Sequence, residues 1–295
     1  MIILEKHIVP KGEYHIRIQE YAGTVFKKLQ SRSAVKKCIA KKGLYINGIP
    51  AQTSDWIKEG QLIELVATEN QLKKVFQLQL EIIFEDEHLA LINKPAGFPT
   101  NGNYFKTIEN ALPFNLKKTS QKDALNYPTP VHRLDNPTSG ILIIAKTKSA
   151  QIHLHQQFEN KSIQKTYHAV VAGKISGFGL INTTINNQEA LTEFKTIKQI
   201  KAIQNGHLSL VQLFPKTGRT HQLRIHLSEL GYPIVGDKLY ATKNIMMHKG
   251  LFLAATKIIF THPVTQQEKH FSTPIPNKFY NYLTREHNRY LKHNS

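Results

Sequence analysis

The longest uninterrupted aliphatic stretch of this 295-residue chain, residues 141–145, is only five residues long. A run of that length, bounded by Gly140 and Lys146, is typical of a strand buried in a sheet. A transmembrane helix needs about 20 apolar residues, so the sequence predicts none. Glu5 and Lys6 interrupt the N-terminus too early for the apolar region of a secretory signal. We therefore expect a soluble, cytoplasmic protein with a core that includes short strands.

The composition allows a real core but predicts no cofactor site. Hydrophobic residues make up 40% of the chain, which argues against a disordered protein. The single cysteine, Cys38, cannot form an internal disulfide or a multi-thiolate metal site. We interpret it as a small buried apolar residue, with a reactive thiol as the less favoured interpretation. His221 and His226 lack further ligands nearby, and no phosphate-binding loop or dinucleotide glycine pattern is present, so we expect neither metal nor cofactor.

The net charge indicates the class of partner. The chain has 39 Lys and Arg against 21 Asp and Glu, a net charge of +18. Such an excess is often retained because the partner is a polyanion, since like charges do not help folding. Nucleic acid is the favoured partner. An anionic membrane surface is discounted because no helix combines a basic face with a bulky apolar one, and a basic protein without a polyanionic partner is the remaining alternative.

Two domains are expected, residues 1–72 and residues 73–295, with the boundary in a polar, basic segment at residues 69–78. In the first domain, residues 31–42 predict a short helix, capped by Ser31 or Ser33 and followed by Gly43 at the C′ position. Two strands are also expected there: residues 44–48, ending in an Asn-Gly turn, and residues 62–66.

The predicted helix is strongly basic. Seven bases and no acid occur between positions 27 and 42: Lys27, Lys28, Arg32, Lys36, Lys37, Lys41 and Lys42. Arg32 and Lys36 share a helical face, as do Lys37 and Lys41, and like charges at that spacing destabilise an isolated helix. A phosphate backbone would remove this repulsion. The alternative interpretation is a basic face that contacts only solvent.

Four short segments of this domain carry a family resemblance: Ser-Arg-Ser at 31–33, Lys-Lys-Gly at 41–43, Tyr-Ile-Asn-Gly at 45–48 and Gly-Gln-Leu-Ile at 60–63. Together, over residues 14–68, they resemble the S-four (alpha-L) RNA-binding module. The resemblance implies that the helix binds structured RNA through Arg32, Lys36, Lys37 and Lys41.

The second domain is expected to alternate strands with shorter helices. The predicted elements are a hairpin at 81–84 and 88–92, strands at 141–145, 168–172 and 208–214, a helix at 220–230, and a basic C-terminal helix from 277 that ends in a loose tail.

Chemistry is expected in four segments of this domain. In residues 130–140, Asp135 occupies a loop before the buried strand, where a carboxylate is hard to explain by packing, although most such Asp residues form turns. Lys165 and Tyr167 face one side of an extended segment, but a Tyr there is usually part of the core. In residues 217–226, Arg219 at a helix start favours an anion, either phosphate or carboxylate. Residues 231–237, with Tyr240 close behind, form a turn-rich rim.

These segments together resemble the RluA-type pseudouridine synthase family of RNA uridine isomerases. The sequence His-Arg-Leu-Asp at 132–135, followed by Thr-Ser-Gly at 138–140, matches the central motif of the family. Residues 93–97, 165–167 and 217–224 resemble its other motifs. The resemblance covers about residues 78–275, and the family also uses an N-terminal alpha-L module. One departure is Leu-Ala-Ala at 253–255, where the family often has Leu-His-Ala.

The resemblance implies roles for individual residues. Asp135 is the nucleophile, Arg219 the arginine that pairs with it, and Tyr167 the tyrosine that stacks on the base and is a candidate to accept the final proton. Further RNA contacts are implied at Arg133, Lys165, His221 and Arg224. For Arg133, a structural role is an equal alternative.

The fold class expected is α+β: a small basic RNA-binding module and a catalytic domain on a mixed, mainly antiparallel sheet. The expected function is RNA pseudouridine synthase, favoured on large-subunit ribosomal RNA, with transfer RNA as the alternative. A non-catalytic RNA-binding or ribosome-assembly factor is the second hypothesis. A glycosylase or nuclease is weaker, because no water-activating residue pair or metal site is recognisable. RNA is the expected partner, no membrane or metal is expected, and the default oligomeric state is a monomer.

Overall fold

The computed structural model describes residues 3–12, 14–66, 75–241 and 250–294. The chain divides into two compact units, Met1–Lys74 and Val75–Ser295. The described residues form six helices and fourteen strands, arranged in a four-stranded and a ten-stranded sheet. This confirms the α+β class. The boundary segment expected at residues 69–78 lies partly in residues 67–74, outside the described residues.

The smaller unit consists of a four-stranded antiparallel sheet and two helices. Its elements are β1 (Ile3–Ile8), α1 (Ile18–Val25), α2 (Arg32–Ala40), β2 (Leu44–Ile46), β3 (Ile49–Pro50) and β4 (Leu62–Val66). The strand order is β1-β4-β2-β3, and the predicted Asn47-Gly48 turn joins β2 to β3. Both helices and the sheet share one core, in which Ile18, Val35 and Leu44 are fully buried. We did not predict β1 and α1.

Helix α2 is shorter than predicted and ends differently. Ser31 is its N-cap, as predicted, and Ser31 Oγ accepts a hydrogen bond from the backbone amide of Ala34 at 3.2 Å. At the other end Lys42, with φ +53°, takes the left-handed C′ position that we predicted for Gly43. The Gly43 amide then donates to the Cys38 carbonyl at 2.9 Å, which closes a Schellman turn around a lysine. Cys38 itself is half-buried, and burial raises the pKa of its thiol, so the structure favours the packing interpretation.

The larger unit is built on ten strands. In chain order its elements are β5 (Glu81–Glu85), β6 (Leu89–Lys94), α3 (Ile108–Asn115), β7 (Ala124–Pro130), β8 (Ser139–Thr147), α4 (Lys148–Glu159), β9 (Gln164–Ala172), β10 (Phe178–Ile185), β11 (Gln188–Ala202), β12 (Gly206–Pro215), α5 (Gln222–Glu229), β13 (Leu253–Thr261), β14 (Glu268–Ser272) and α6 (Asn277–Asn294). The main strand order is β10-β11-β12-β9-β13-β8-β6-β5, with β14 beside β13 and β7 beside β8. The pairing of β8 with β13 is parallel and the other pairs are antiparallel, so the expected mixed, mainly antiparallel sheet is confirmed.

The position of β8 explains why the aliphatic stretch at residues 141–145 is continuous rather than alternating. Leu142 and Ile144 belong to one core cluster, whereas Ile141, Ile143 and Ala145 belong to another. Both faces of β8 are therefore covered, and every position of residues 141–145 must be apolar.

Most predicted elements of this unit are present, with different limits. The hairpin β5–β6 and the strands β8, β9 and β12 are confirmed. Helix α5 begins at Gln222, two residues later than predicted. The C-terminal helix α6 continues to Asn294, so the predicted loose tail within that range is wrong. The long β10–β11 hairpin was not predicted.

Gly140 marks the closest approach of the two central strands. It has φ +118° and pairs with Ala255 in the parallel register of β8 and β13. A β-carbon at this position would overlap the backbone carbonyl of Ala255. The glycine that ends the central motif is therefore required by backbone packing at the point where the loop with Asp135 enters β8.

Candidate active site

A cavity of about 300 Å³ is lined by the loop before β8, the start of β9 and the loop that leads into α5. This volume suits one small ligand group. All seven residues of the larger unit that the sequence singled out line the cavity: Arg133, Asp135, Lys165, Tyr167, Arg219, His221 and Arg224. The fold thus brings together segments that are up to 91 positions apart in the chain, from 133 to 224.

A buried lysine holds the loop that carries Asp135. Asp135 begins a turn in which its carbonyl accepts a hydrogen bond from the Thr138 amide at 3.0 Å. The Nζ of Lys94, fully buried at the end of β6, donates to the carbonyls of Pro95 at 3.0 Å, Asn136 at 3.2 Å and Thr138 at 2.9 Å. Three carbonyl partners match the three donors of an ammonium group, so Lys94 fixes the backbone of this turn at Asn136 and Thr138.

Burial lowers the pKa of Lys94 to about 8, although the nearby Asp135 carboxylate acts in the opposite direction. At neutral pH the group is therefore still mostly an ammonium. A second contact supports the same loop: Thr100 Oγ1 donates to the Leu134 carbonyl at 2.9 Å and accepts from the Leu134 amide at 3.1 Å. Asp135 thus projects from a loop with fixed backbone.

The structure places Arg224, not Arg219, against Asp135. Nη1 of Arg224 lies 3.4 Å from Oδ2 of Asp135, whereas Nε of Arg219 donates to the Glu189 carbonyl of β11 at 3.1 Å. Because α5 starts at Gln222, Arg224 lies in the first turn of the helix with its side chain in the interior. Arg219 lies in the preceding loop and is bonded to the neighbouring sheet. The expected pairing of Arg219 with Asp135 is therefore corrected to Arg224.

Arg224 is itself held by a second carboxylate. Its Nε donates to Oδ2 of Asp237 at 2.8 Å and its Nη2 to Oδ1 at 2.8 Å, and both residues are buried. Oδ1 of Asp237 also accepts from the amides of Leu239 at 3.0 Å and Tyr240 at 3.2 Å. Burial alone would raise the pKa of Asp237, but the hydrogen bonds from Arg224 and the backbone amides outweigh it and lower that pKa. The fork aims the remaining guanidinium nitrogen, Nη1, at Asp135.

His221 and Tyr240 also contact the pair formed by Asp135 and Arg224. His221, the N-cap residue of α5, has φ +56°, and its Nε2 lies 3.8 Å from Oδ1 of Asp135. Its Nδ1 and the Tyr240 hydroxyl are 2.8 Å apart. The Tyr240 ring lies 5.1 Å from Cζ of Arg224, a cation–π distance. The turn-rich segment expected to form a rim thus holds the arginine in place.

Tyr167 lies in β9 on the same side of the strand as Lys165, as predicted, and both line the cavity. The pKa of the Tyr167 phenol is raised well above its ordinary value, mainly by burial and also by the charge of Asp135. The phenol is therefore protonated at neutral pH. Burial also lowers the pKa of Lys165.

His132 and Phe158 form the apolar side of the cavity. Their rings are 4.8 Å apart, and Nζ of Lys165 lies 5.9 Å from the centre of the Phe158 ring. Nε2 of His132 accepts the backbone amide of Ile143 at 3.0 Å. Burial, with a contribution from Lys165, lowers the pKa of His132 to about 3. His132 is thus a neutral residue that fixes the central motif to β8.

In the smaller unit, the predicted RNA-binding residues Arg32, Lys36, Lys37 and Lys41 are all exposed. Arg32 is not free of acidic neighbours, because its Nη2 lies 3.1 Å from Oε1 of Glu20 on α1. Part of the repulsion that the sequence predicted within α2 is therefore offset by a residue outside the helix.

Two negative findings apply to residues 3–12, 14–66, 75–241 and 250–294. No group of three or more His, Cys, Asp or Glu side chains there could hold a metal ion. No helix in these ranges is long and apolar enough to cross a bilayer.

Comparison with known proteins identifies the family of this chain. Residues 88–229 match the family described as RNA pseudouridylate synthase. The ribosomal large subunit pseudouridine synthase D of Nitrosomonas europaea is 31% identical over 274 residues, which cover 83% of this chain and 77% of the relative. This chain belongs to the RNA pseudouridine synthase family. It is therefore an isomerase that acts on RNA.

Two further pseudouridine synthases extend the comparison. The tRNA pseudouridine synthase C of Pasteurella multocida is 34% identical over 220 residues, which cover 65% of this chain and 89% of the relative. The structure of human RNA pseudouridylate synthase domain containing 1 superposes with a TM-score of 0.56 and 25% identity, covering 67% of this chain and 84% of that chain. The shared part therefore includes much of the catalytic unit.

For a pseudouridine synthase, the contents of the cavity suit covalent chemistry. The enzyme must break the bond between uracil N1 and ribose C1′ and form one between C5 and C1′. A carboxylate can act as a nucleophile toward a sugar or an electrophilic pyrimidine. An aromatic ring such as that of Tyr167 can support a base that has left its stack. The cavity of this pseudouridine synthase holds both groups beside a buried guanidinium.

No individual role was predicted for Lys94, Thr100 or Asp237. Asp237 follows Gly236, and the Gly-Asp pair indicated only a turn. Lys94 is the last residue of β6, two positions after the apolar residues 89–92 and directly before Pro95. A lysine at the end of a buried strand is the signal that could have found it. The hydroxyl of Thr100 gave no signal, because its partner Leu134 is 34 positions away.

Proposed function

We propose that this pseudouridine synthase isomerises uridines of large-subunit ribosomal RNA, with Asp135 as the nucleophile. The observation that carries the proposal is the setting of Asp135. Its side chain is 18% exposed in a cavity of about 300 Å³, with Nη1 of Arg224 at 3.4 Å. The buried guanidinium places a positive charge beside the carboxylate that would act as the nucleophile. Asp237 occupies Nε and Nη2 of Arg224, and Asp135 is contacted by Nη1. Asp135 is therefore not held in a bidentate ion pair.

Two routes begin from this carboxylate. In the first, Asp135 attacks ribose C1′, the C1′–N1 bond breaks, and the uracil takes the electron pair. In the second, the carboxylate adds to C6 of the pyrimidine, C5 takes the electron pair of the C5–C6 double bond, and the C1′–N1 bond then breaks with its electron pair on N1. Both routes then turn the base, form the C5–C1′ bond, break the bond to Asp135, and release the proton from C5. The same residues therefore serve either route.

The environment of Tyr167 supports one of its two expected roles. Removing the proton from C5 would be easiest for a phenolate, but burial and the Asp135 charge raise the pKa of this phenol. A protonated, largely buried ring suits stacking instead. Extruding the uridine costs a few kcal/mol, and stacking on an aromatic ring returns about 1–3 kcal/mol. Tyr167 therefore serves as the platform for the target base.

Three observations support ribosomal RNA as the target. The match to the ribosomal relative of Nitrosomonas europaea covers 83% of this chain, against 65% for the transfer RNA relative of Pasteurella multocida. The smaller unit presents the exposed cations of α2, as an S-four-like module that binds structured RNA would. The net charge of +18 suits a large polyanion. Transfer RNA is the second candidate, on the strength of the Pasteurella relative.

The test is pseudouridine mapping of total RNA by selective chemical labelling and reverse transcription. Cells that lack the gene are complemented with the wild type, with Asp135→Asn, or with a matched carboxylate-to-amide control, Asp123→Asn. Asp123 caps the start of α4 at 2.8 Å from the Ser149 amide and does not line the cavity. The wild type and Asp123→Asn should restore one or a few signals in large-subunit ribosomal RNA, and Asp135→Asn none.

Other outcomes identify other functions. If the restored pseudouridine signals occurred only in transfer RNA, transfer RNA and not ribosomal RNA would be the target. If Asp135→Asn restored the signals, Asp135 would not be the nucleophile. If deletion of the gene changes no signal, purified protein on ribosomal RNA fragments decides whether the chain is redundant in the cell or only binds RNA.

A further inference from the structure

A loop with exposed aromatic side chains lies between the motif at residues 93–97 and the loop that carries Asp135. Residues 101–106, with the sequence Asn-Gly-Asn-Tyr-Phe-Lys, are all exposed. Tyr104 is 72% exposed and Phe105 48% exposed. Two adjacent aromatic side chains with so much surface in water are a costly arrangement unless they meet a partner.

The loop is ordered by specific contacts rather than loosely attached. Nδ2 of Asn110 donates to the carbonyls of Tyr104 at 3.2 Å and Phe105 at 3.0 Å. The Phe105 ring packs edge-on against Phe76, with centroids 5.6 Å apart. A β-carbon at Gly102 would lie 3.6 Å from Cδ2 of Tyr104, so the tyrosine ring rests over the glycine. The aromatic surface is thus held in place before any ligand binds, which lowers the entropic cost of binding.

The loop is tied directly to the catalytic loop. Thr100, the residue before it, makes two hydrogen bonds with the backbone of Leu134, at 2.9 and 3.1 Å. Leu134 is the neighbour of Asp135. Tyr104 is four positions after Thr100, so their Cα atoms are at most about 14 Å apart. Tyr104 therefore lies close enough to meet a nucleotide near the target uridine.

The charge around the loop favours a polyanion. No Asp or Glu occurs from position 88 to position 108, while Lys106 is exposed beside the two rings. Aromatic rings interleaved with cations are the usual surface for unpaired nucleic acid, because every base has a face that stacks and every nucleotide carries a phosphate. A purely apolar protein partner would give Lys106 nothing to pair with.

We propose that Tyr104, flanked by Phe105 and Lys106, is a stacking platform for an unpaired nucleotide beside the target uridine. When the uridine leaves its stack, a neighbouring base loses one stacking partner. The exposed face of Tyr104 replaces that partner, and Lys106 binds the adjoining phosphate. The inference rests on RNA being the substrate of this family member, but not on Asp135 being the nucleophile or on which RNA is modified.

The first experiment measures binding of the full-length protein to a fluorescein-labelled oligouridylate and to a short RNA duplex. Tyr104→Ala should raise the Kd for the single strand roughly tenfold, the effect of losing one stacked base, and should leave the duplex nearly unchanged. Tyr104→Phe keeps the ring and should bind like the wild type. Phe178→Ala is the matched control, because Phe178 on β10 is 67% exposed and does not line the cavity.

The second experiment detects the stack itself. The chain has one tryptophan, Trp56, so Trp56→Phe with Tyr104→Trp places a single fluorophore in the loop. Stacking predicts quenching of this tryptophan as the oligouridylate binds, with the same Kd as the labelled titration.

Three results would overturn the proposal. The first is an unchanged Kd for Tyr104→Ala, or a wild type that does not bind the single strand. The second is binding without quenching, which would leave only charge contacts. The third is a change in sedimentation coefficient of Tyr104→Ala with RNA binding intact, which would identify the loop as a contact between copies of the chain. None of these requires turnover, so they stay distinct from a failure of the proposed reaction.

Discussion

The cations of helix α2 and the cations beneath Asp135 are the same residue types in opposite settings. Arg32, Lys36, Lys37 and Lys41 are exposed, and the visible partner of Arg32 is an exposed glutamate at 3.1 Å. Lys94 and Arg224 are buried, and each has its donors directed at carbonyl or carboxylate oxygens between 2.8 and 3.4 Å away.

The difference separates charge that attracts from charge that positions. An exposed cation is screened by salt and can be exchanged at little cost in stability. A buried cation must keep its partners, because removing one of them leaves an uncompensated charge in the interior. In this protein the first kind suits a long, variable RNA surface, and the second kind holds one carboxylate in place.

The largest effect of removing a buried cation is expected for Arg224→Gln, which leaves the buried carboxylate of Asp237 without its guanidinium partner. We expect a loss of about 3–5 kcal/mol in the free energy of unfolding and no measurable pseudouridine formation. Arg224→Lys should not restore activity, because an ammonium cannot replace the bidentate fork. Arg219→Gln, which loses one hydrogen bond to a carbonyl, should cost only about 1 kcal/mol. If Arg219→Gln lost more stability and more turnover than Arg224→Gln, Arg219 and not Arg224 would be the functional partner of Asp135.

The lowered pKa of Lys94 predicts that the free energy of unfolding depends on pH in a way that exposed lysines do not cause. Its folded pKa of about 8 lies below the ordinary value of 10.5, so between these values the unfolded chain binds more protons. Stability then rises with pH across this window, by about 3 kcal/mol at most. Urea unfolding of wild type and Lys94→Met near pH 7 and near pH 10 should show this difference. Lys36→Met is the exposed control, and an equal pH effect in both variants would contradict the prediction.

Asp237→Asn tests whether the carboxylate of Asp237 affects catalysis by positioning Arg224. The amide keeps an oxygen for the backbone amides of Leu239 and Tyr240 but loses the charge, which should cost about 2 kcal/mol of stability. Because the reacting carboxylate is then paired differently, kcat should fall at least tenfold while KM for RNA changes little. A rise in KM with unchanged kcat would instead place Asp237 in RNA binding.

The smallest effect on stability is expected at the exposed helix. Replacing Arg32, Lys36, Lys37 and Lys41 with Gln should change the free energy of unfolding by no more than about 0.5 kcal/mol each. The slope of log K against log salt for RNA binding should fall by about 0.7–0.9 for each phosphate that the variant no longer neutralises. Gln at Lys195, Lys198 and Lys201, exposed lysines of β11, is the control. An equal fall of the slope in both sets would show that α2 is not a special surface.

The sequence was most informative where local chemistry and tertiary structure agree. The apolar stretch at 141–145 predicted a strand buried on both faces, and β8 is one. The Asn-Gly pair predicted a turn at the end of a strand in the smaller unit, and this turn joins β2 to β3. Ser31, one of two predicted caps, begins α2. The same local rules failed at Lys42, which takes the left-handed position in place of the adjacent glycine. They also failed at the β10–β11 hairpin, where Phe178 and Leu180 are exposed and Thr192 is buried, so the apolar alternation is unclear.

The site shows the corresponding limit. Every residue of the larger unit chosen from motifs lines one cavity, so the location of the site was predictable from the sequence. The pairing within it was not, because Arg219 and Arg224 are five positions apart and the start of α5 decides which one faces Asp135. The Asp237 fork and the Lys94 clamp join residues 13 and more than 40 positions apart, and no local pattern reports such pairs.

Gly140 also has a consequence for genetics. No side chain fits there, because Ala255 of β13 occupies the space, and Gly236 is in the same position against the carbonyl of Gly250. A screen for cells that have lost the modification should therefore recover alleles at these two glycines as readily as alleles at Asp135. The glycine alleles would be distinguished by low protein abundance, whereas an allele at Asp135 would leave a normal amount of inactive enzyme in the cell.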